Sequence, residues 1–269
     1  MSAGPASVLE RPQLGLLRGV GLMVERNLII YRHTWFLLLA EVLEPVLYLG
    51  SIGLGIGALV GRIPGLGGTS VRYPEFVAPA LLATAAMNGA MNETAFLMYT
   101  RLTIDRVYEP ILATPMTVRL VGLGEAAWAV IRGIVVTSAF LVIVTALGLV
   151  ASPWALLVLP GAALIGFAFA AAGLVVVTYI RGWADFQNVQ LVMLPMFLFA
   201  TTFYPLGVYP RPLQIVVECL PLYQAIELLR EPALGHVGPG LLVPVLYLLA
   251  MGVIALSFAL RRLRGRLQH

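Results

Sequence analysis

Few side chains in this sequence could do chemistry, and most of those lie inside long apolar runs. Glu41 and Glu44 stand three residues apart, which places both carboxylates on one face of a helix. Pro45 follows them and predicts a kink, because proline removes a helical N–H. Glu93 lies deep in a second run with Asn88 and Asn92 on nearby turns, and a third run carries Glu125 and Arg132. An ionised group near the middle of a bilayer costs about 2.5–3.5 kcal/mol even on the mildest scale, so such groups either pair or line a pathway. Two chemistries fit the pattern: a proton relay or substrate contact, and an interhelical ion pair, Glu93 with Arg132, that fixes the bundle. Glu41 and Glu44 are near enough to the end of their run to reach an aqueous interface.

Other chemistries are excluded by composition. All 17 basic residues are arginine, so a phosphate-loop lysine, a Schiff-base lysine and a Ser-Lys dyad are impossible. ATP and magnesium, if used, must be held by another chain, and no cofactor is expected in this one. His33, His236 and His269 lie far apart without ligand spacing, so no metal site is predicted. Cys219 is the only cysteine, which rules out an intrachain disulfide.

The elements that must position these groups follow from the rest of the composition. Of 269 residues, 60% are hydrophobic and 11% charged, against about 25% charged in a soluble domain. With a mean hydropathy of +0.93, the chain reads as an integral membrane protein. A helical crossing needs about 20 apolar residues. Six runs qualify, near 35–60, 76–98, 123–149, 154–180, 186–206 and 240–260. A net charge of +4 could suggest a nucleic-acid partner, but the arginines sit at membrane edges and none is expected. The ends and alternate loops hold most of them, while the opposite loops hold only Arg62, Arg72, Arg211 and Arg230. The positive-inside rule then places both termini in the cytoplasm of a multi-pass plasma-membrane protein. No cleavable signal peptide is expected, since the first long run begins near Trp35 and outlasts a signal h-region.

The predicted fold is all-α, with residues 1–34 as a cytoplasmic arm, 35–260 as a six-helix membrane domain and 261–269 as a basic tail. Within the arm, Leu14–His33 reads as an amphipathic helix on the membrane face, with Leu17, Val20, Val24, Leu28 and Tyr31 as its apolar stripe. Gly53, Gly57 and Gly61 in the first span, and Ala162, Gly166 and Ala170 in the fourth, are spaced as packing faces.

Two connections stand out. The loop from Arg101 to Arg119 mixes charge with Val107, Tyr108, Ile111 and Leu112, and Pro110 and Pro115 cut it into a short helix and a turn. Exposed apolar residues there predict docking to another protein or to the membrane surface. Between the last two spans, Thr202–Pro239 holds two proline-bounded apolar stretches, near Leu213–Leu220 and Leu222–Leu229, each too short to cross. A re-entrant hairpin from the outer face would satisfy their backbone. Phe197, Phe199, Phe203 and Tyr204 beside it are candidates to line a substrate path, or else packing and interface residues.

Three stretches carry a family resemblance: YPEFVAPALLATAAMNGAMNETAF at 73–96, YEPILATPMTVRLVGLGEAAWAVIRG at 108–133, and MLPMFLFATTFYPLGVYPRPLQIVVECLPLYQAIELLREPALG at 193–235. They resemble, in order and spacing, the NodJ-type branch of the ABC-2 permeases. Gln224 stands where many relatives carry histidine, and Asn88 and Asn92 are unusually polar. The resemblance implies a half-permease that pairs with a second copy or close relative, each docked on a separate ABC ATPase subunit. It implies a coupling helix over Arg101, Asp105, Tyr108, Glu109, Ile111, Leu112, Thr114 and Pro115, and a connecting helix in the N-terminal arm. Relatives of this branch take part in lipo-chitooligosaccharide export, so the expected function is export of an amphipathic substrate, a lipid-linked oligosaccharide or glycolipid, from the inner leaflet or cytoplasm by alternating access.

Three alternatives differ in what they require. A drug-efflux permease of the same class would share every feature above. An intramembrane glycolipid-modifying enzyme would need a convergent catalytic group, yet Asp105 and Asp185 fall in predicted cytoplasmic loops and the histidines are scattered. A membrane scaffold would not stimulate an ATPase.

Overall fold

The computed structural model describes residues 14–64, 70–150 and 152–267. The expected arm before Leu14, with Arg11, and the last two residues, with His269, lie outside the described residues. Helix α1 (Leu16–His33) precedes a first long rod made of α2 (Phe36–Tyr48), a π-helical turn at Leu49–Leu54 and α3 (Gly55–Val60). A short antiparallel hairpin follows, β1 (Arg62–Pro64) with β2 (Ser70–Arg72), pairing Arg62 with Arg72. The all-α expectation did not include it. Gly61, with φ of +70°, turns the chain into the hairpin and accepts the Tyr73 N–H at 3.2 Å.

The second rod comprises α4 (Tyr73–Met91), a π-helical turn at Asn92–Leu97 and α5 (Met98–Thr103). Then come α6 (Tyr108–Leu112), α7 (Val118–Ala146), α8 (Val158–Val177), α9 (Trp183–Phe199), α10 (Arg211–Glu218), α11 (Pro221–Ala233) and α12 (Leu242–Leu267). Prolines start several of these where a missing N–H costs nothing, as at Pro74, Pro212 and Pro221.

Four helical stretches among the described residues are long and apolar enough to cross a membrane: Leu38–Val60, Val118–Ala146, Pro153–Val177 and Pro239–Gly265. The α10–α11 pair, bent by 84°, would make a fifth if counted as one span. Two of the six expected runs are therefore helical but fall short of that measure. In the α4–α5 rod Asn88, Asn92 and Glu93 interrupt the apolar run, and α9 has only 17 residues.

Helix α8 is the hub, packed by α4, α7, α11 and α12. Its small residues let each neighbour approach. A Cβ on Gly161 would stand 2.6 Å from Leu229 of α11, one on Gly166 would meet the Val130 backbone at 3.5 Å, and one on Gly173 would lie 2.1 Å from Thr94 Oγ1. Ala162 and Ala170 of the same predicted face are fully buried. Gly57 of the first rod lies against Pro74, 3.4 Å from where its Cβ would be.

One face of α1 packs inward and the other stays outward, and of the predicted apolar stripe only Tyr31 is buried. Gly19, Met23, Asn27 and Tyr31 are buried, whereas Leu17 and Leu28 of the predicted stripe are 86% and 59% exposed. Close approach decides this: a Cβ on Gly124 of α7 would lie 2.3 Å from Met23 Cβ, and one on Gly19 would lie 2.6 Å from Leu120. The helix is thus locked to α7 by its small and polar side, and its leucines face outward. The C-terminal end of α12 joins the same end of the bundle, where Leu260 and Leu263 cover Gly122 of α7. The β-hairpin and α10–α11 lie at the other end, where Arg72 donates to the Gly148 carbonyl at 3.1 Å.

Candidate functional site

At the α1–α6–α7 end, the bundle encloses a continuous charge network. Glu125 of α7, fully buried, accepts from Arg101 Nη1 at 2.7 Å, Tyr108 Oη at 2.8 Å, Asn27 Nδ2 at 3.0 Å and Arg26 Nη1 at 3.3 Å. Arg101, at the end of α5, also reaches Glu93 Oε1 at 2.8 Å. Glu93, fully buried in the π-helical turn, accepts from Tyr31 Oη at 2.7 Å and pairs with Arg132. Arg132 donates to Tyr31 Oη at 2.8 Å and closes on Glu41 of α2, its Nε lying 3.0 Å from Glu41 Oε2. Three carboxylates and three guanidiniums thus alternate from the α6 loop to α2, with α1 sealing one side. Burying so many charges is tolerable only because each is paired and hydrogen-bonded.

The pairing anticipated between Glu93 and Arg132 is one link of this chain, not an isolated bridge. Glu41 turns inward to Arg132, where the sequence suggested an aqueous interface, and only Glu44 remains exposed. Tyr108 also departs from expectation. It is 1% exposed and points at Glu125, so it cannot be a side chain offered to a soluble partner. Burial, reinforced by the neighbouring Glu125 carboxylate, drives its phenol well above the ordinary value and keeps it a donor. On the outer side of the loop, Asp105, Glu109, Thr114 and Pro115 are exposed, while Ile111 and Leu112 are half-buried against the core.

Beyond Glu41 the protein opens. Glu41, Glu44, Asn88, Asn92, Gln187 and Gln190 line a groove of about 780 Å³ between α2, the α4 rod and α9. A recess of about 250 Å³ continues it toward the hairpin end, where Glu44, Asn88 and Gln190 meet Tyr48 and Phe197. Of the four aromatics singled out by sequence, Phe197 lines this recess and Phe203 packs on it with ring centres 5.3 Å apart. Phe199 and Tyr204 meet Tyr209 instead, at 6.3 and 5.4 Å. Sequence reasoning missed Phe96 and Phe186, whose rings stack edge to face at 5.1 Å and line the other end of the groove. It also missed Gln187 and Gln190, although their i,i+3 spacing is a legible polar face.

At the opposite end, Arg230 of α11 is buried: it donates to the Thr201 carbonyl and to Glu227, both at 2.7 Å, over the Phe76 ring at 3.8 Å. Gln224 donates to the Glu218 carbonyl at 2.7 Å, satisfying the backbone where α10 bends into α11. Among the described residues no group of three His, Cys, Asp or Glu side chains could hold a metal ion.

A membrane bundle with a charged loop at one end, a bent helix pair at the other and a polar groove between them has the architecture of a transport subunit. The chain belongs to the ABC-2 type transporter family, whose model matches residues 18–234. It is similar to Nodulation protein J of Rhizobium leguminosarum bv. trifolii, 34% identical over 200 residues that cover 74% of each chain. Nodulation protein J of Sinorhizobium fredii is 32% identical over 231 residues, 86% of each chain, and that of Rhizobium meliloti is 32% identical over 230 residues, 84% of this chain and 86% of the relative. The protein is thus a multi-pass membrane permease, and its own sequence carries no ATPase motif.

Proposed function

We propose that this permease is half of an exporter driven by a separate ABC ATPase, moving an amphipathic glycolipid or lipid-linked oligosaccharide out of the cell. The α4–α5 rod and α9 complete six crossings, both termini are cytoplasmic, and α10–α11 is a re-entrant hairpin at the outer face. The ATPase, which supplies ATP and magnesium, docks on the exposed side of the Arg101–Pro115 loop. A second copy of the chain completes the pathway beside α2 and α9, whose outward side chains find few partners in one copy.

The observation that carries this reading is the buried network. It ties the loop, through Tyr108, Glu125, Arg101, Glu93 and Arg132, to Glu41 on the groove wall. A rigid-body push on the loop therefore reaches the groove without passing through soft contacts. The amides and carboxylates of the groove suit the hydroxyls of a sugar head group better than an apolar drug.

The test is co-expression with the ATPase, comparing the natural chain with the variant Glu109→Arg with Leu112→Asp. The variant is expected to insert normally, since the loop lies outside the spans, but to lose ATPase recovery and stimulated hydrolysis. Wild-type recovery and stimulation would place docking elsewhere and overturn the loop assignment.

A further inference from the structure

A second cavity, of about 630 Å³, lies across α9 from the polar groove and shares only Met91, Val189 and Met193 with it. Helices α4, α8, α9 and α12 form its walls, and five methionines line it: Met87, Met91, Met193, Met196 and Met251. Unbranched thioether side chains adapt to a flexible apolar guest. The chamber is polar at one end only, where Tyr179, Arg181, Asp185 and Asn188 form the rim. We propose that this chamber holds one acyl chain of an inner-leaflet phospholipid, with the lipid phosphate at Arg181 and Arg262.

Length, polarity and charge each favour that occupant. From Asp185 at the rim to Met196 at the far end, α9 rises eleven residues, or about 16 Å. One leaflet of hydrocarbon is half of the roughly 30 Å bilayer core, so an acyl chain anchored at the rim would just fill the chamber. A guest that crossed the bilayer would need a second polar end, and the far end offers only Met196 and Pro221. At the rim, Arg181 is exposed, and Arg262 of α12 lies over the Tyr179 ring at 4.0 Å with its Nη1 3.1 Å from the Tyr179 hydroxyl. Asp185, the carboxylate among the described lining residues, is turned to the backbone, its Oδ2 accepting the Arg181 N–H at 2.8 Å. Two guanidiniums beside the mouth of an apolar slot are complementary to a phosphate whose tail enters the slot.

This goes beyond the exporter reading and takes from it only the orientation that puts the N-terminal end of α9 at the cytoplasmic face. Lipid occupancy needs neither ATPase nor cargo, so the two can fail separately. The full chain is reconstituted in phosphatidylcholine vesicles containing phosphatidylglycerol with a photoactivatable acyl chain, and labelled peptides are mapped after illumination. Labelling of Phe169–Val176 and Val189–Met196 is expected to exceed severalfold that of Leu242–Leu246 on α12, where Leu242, Val243 and Leu246 face outward and none lines the chamber. The variant Ala172→Phe with Val176→Phe, which fills the chamber, is expected to abolish the excess. Arg181→Gln with Arg262→Gln, which removes both guanidiniums without filling the chamber, is expected to lower it severalfold. Labelling no greater than that of α12, or an excess that survives both variants, would overturn the site. So would displacement of the label by a lipid-linked oligosaccharide but not by unlabelled phosphatidylglycerol, since the chamber would then be a cargo subsite.

Discussion

Glu125 is the residue on which most of the network converges, since four donors from α1, α5 and α6 meet its two oxygens. Replacing it by Gln leaves Arg101 buried with one carboxylate fewer, and breaking a buried pair costs about 3–5 kcal/mol. Glu125→Gln is therefore expected to lower the unfolding midpoint in detergent sharply, whereas Glu109→Gln, on the exposed loop face, should leave it unchanged. Tyr108 yields a pH prediction. Its raised pKa means that the folded state holds the phenolic proton more tightly than the unfolded chain does. Its contribution is then constant below the unfolded value of about 10 and falls as pH rises above it. Denaturation of the natural chain should steepen in that alkaline range relative to Tyr108→Phe, which itself loses about 1.5–3 kcal/mol for a bond to a charged acceptor. A matching pH profile for the two proteins would contradict the assigned bond. The Glu93–Arg132 link was legible in sequence because a charge inside an apolar run demands a partner. Arg26 and Asn27 were not, because on an isolated amphipathic helix they read as the solvated face.

At the scale of elements, spacing of small residues marked where α8 touches its neighbours but not Gly61, which lies past the end of α3 with nothing near a would-be Cβ, and the apolar stripe of α1 did not reveal that its small and polar side meets α7. The leucines of α1 face outward because Met23 fits the Gly124 notch and Asn27 and Tyr31 are needed by buried carboxylates. Neither π-helical turn was legible, as an extra residue per turn leaves no mark in an apolar pattern. The turn at Asn92–Leu97 is nonetheless what seats Thr94 against Gly173 while Glu93 faces Arg101 and Arg132. Gly173→Ala is expected to cost about 1–3 kcal/mol by overpacking, and Thr94→Ala in the same chain should recover much of it by removing the oxygen in the way. Thermal unfolding of the two single variants and the double variant measures this. Additive losses would mean that the two residues do not share the contact.

For the whole molecule, membrane class and family were readable from composition and motif order, and the division of labour among sites was not. The loop thought to offer Tyr108 outward uses it as an inward anchor, and the aromatics thought to flank one path are divided between a recess and the α10 junction. What emerges is a permease whose Arg101–Pro115 loop, the proposed ATPase dock, and groove wall are two ends of one buried ionic chain. The most direct test is ATP-driven uptake of a lipid-linked oligosaccharide by inside-out vesicles carrying the ATPase and the Glu41→Gln permease. That change weakens only the last link, because Arg132 keeps Glu93 and Tyr31. Normal complex recovery and continued ATP hydrolysis are expected with uptake reduced severalfold, whereas uptake at the wild-type rate would show that the buried chain does not link the loop to the groove.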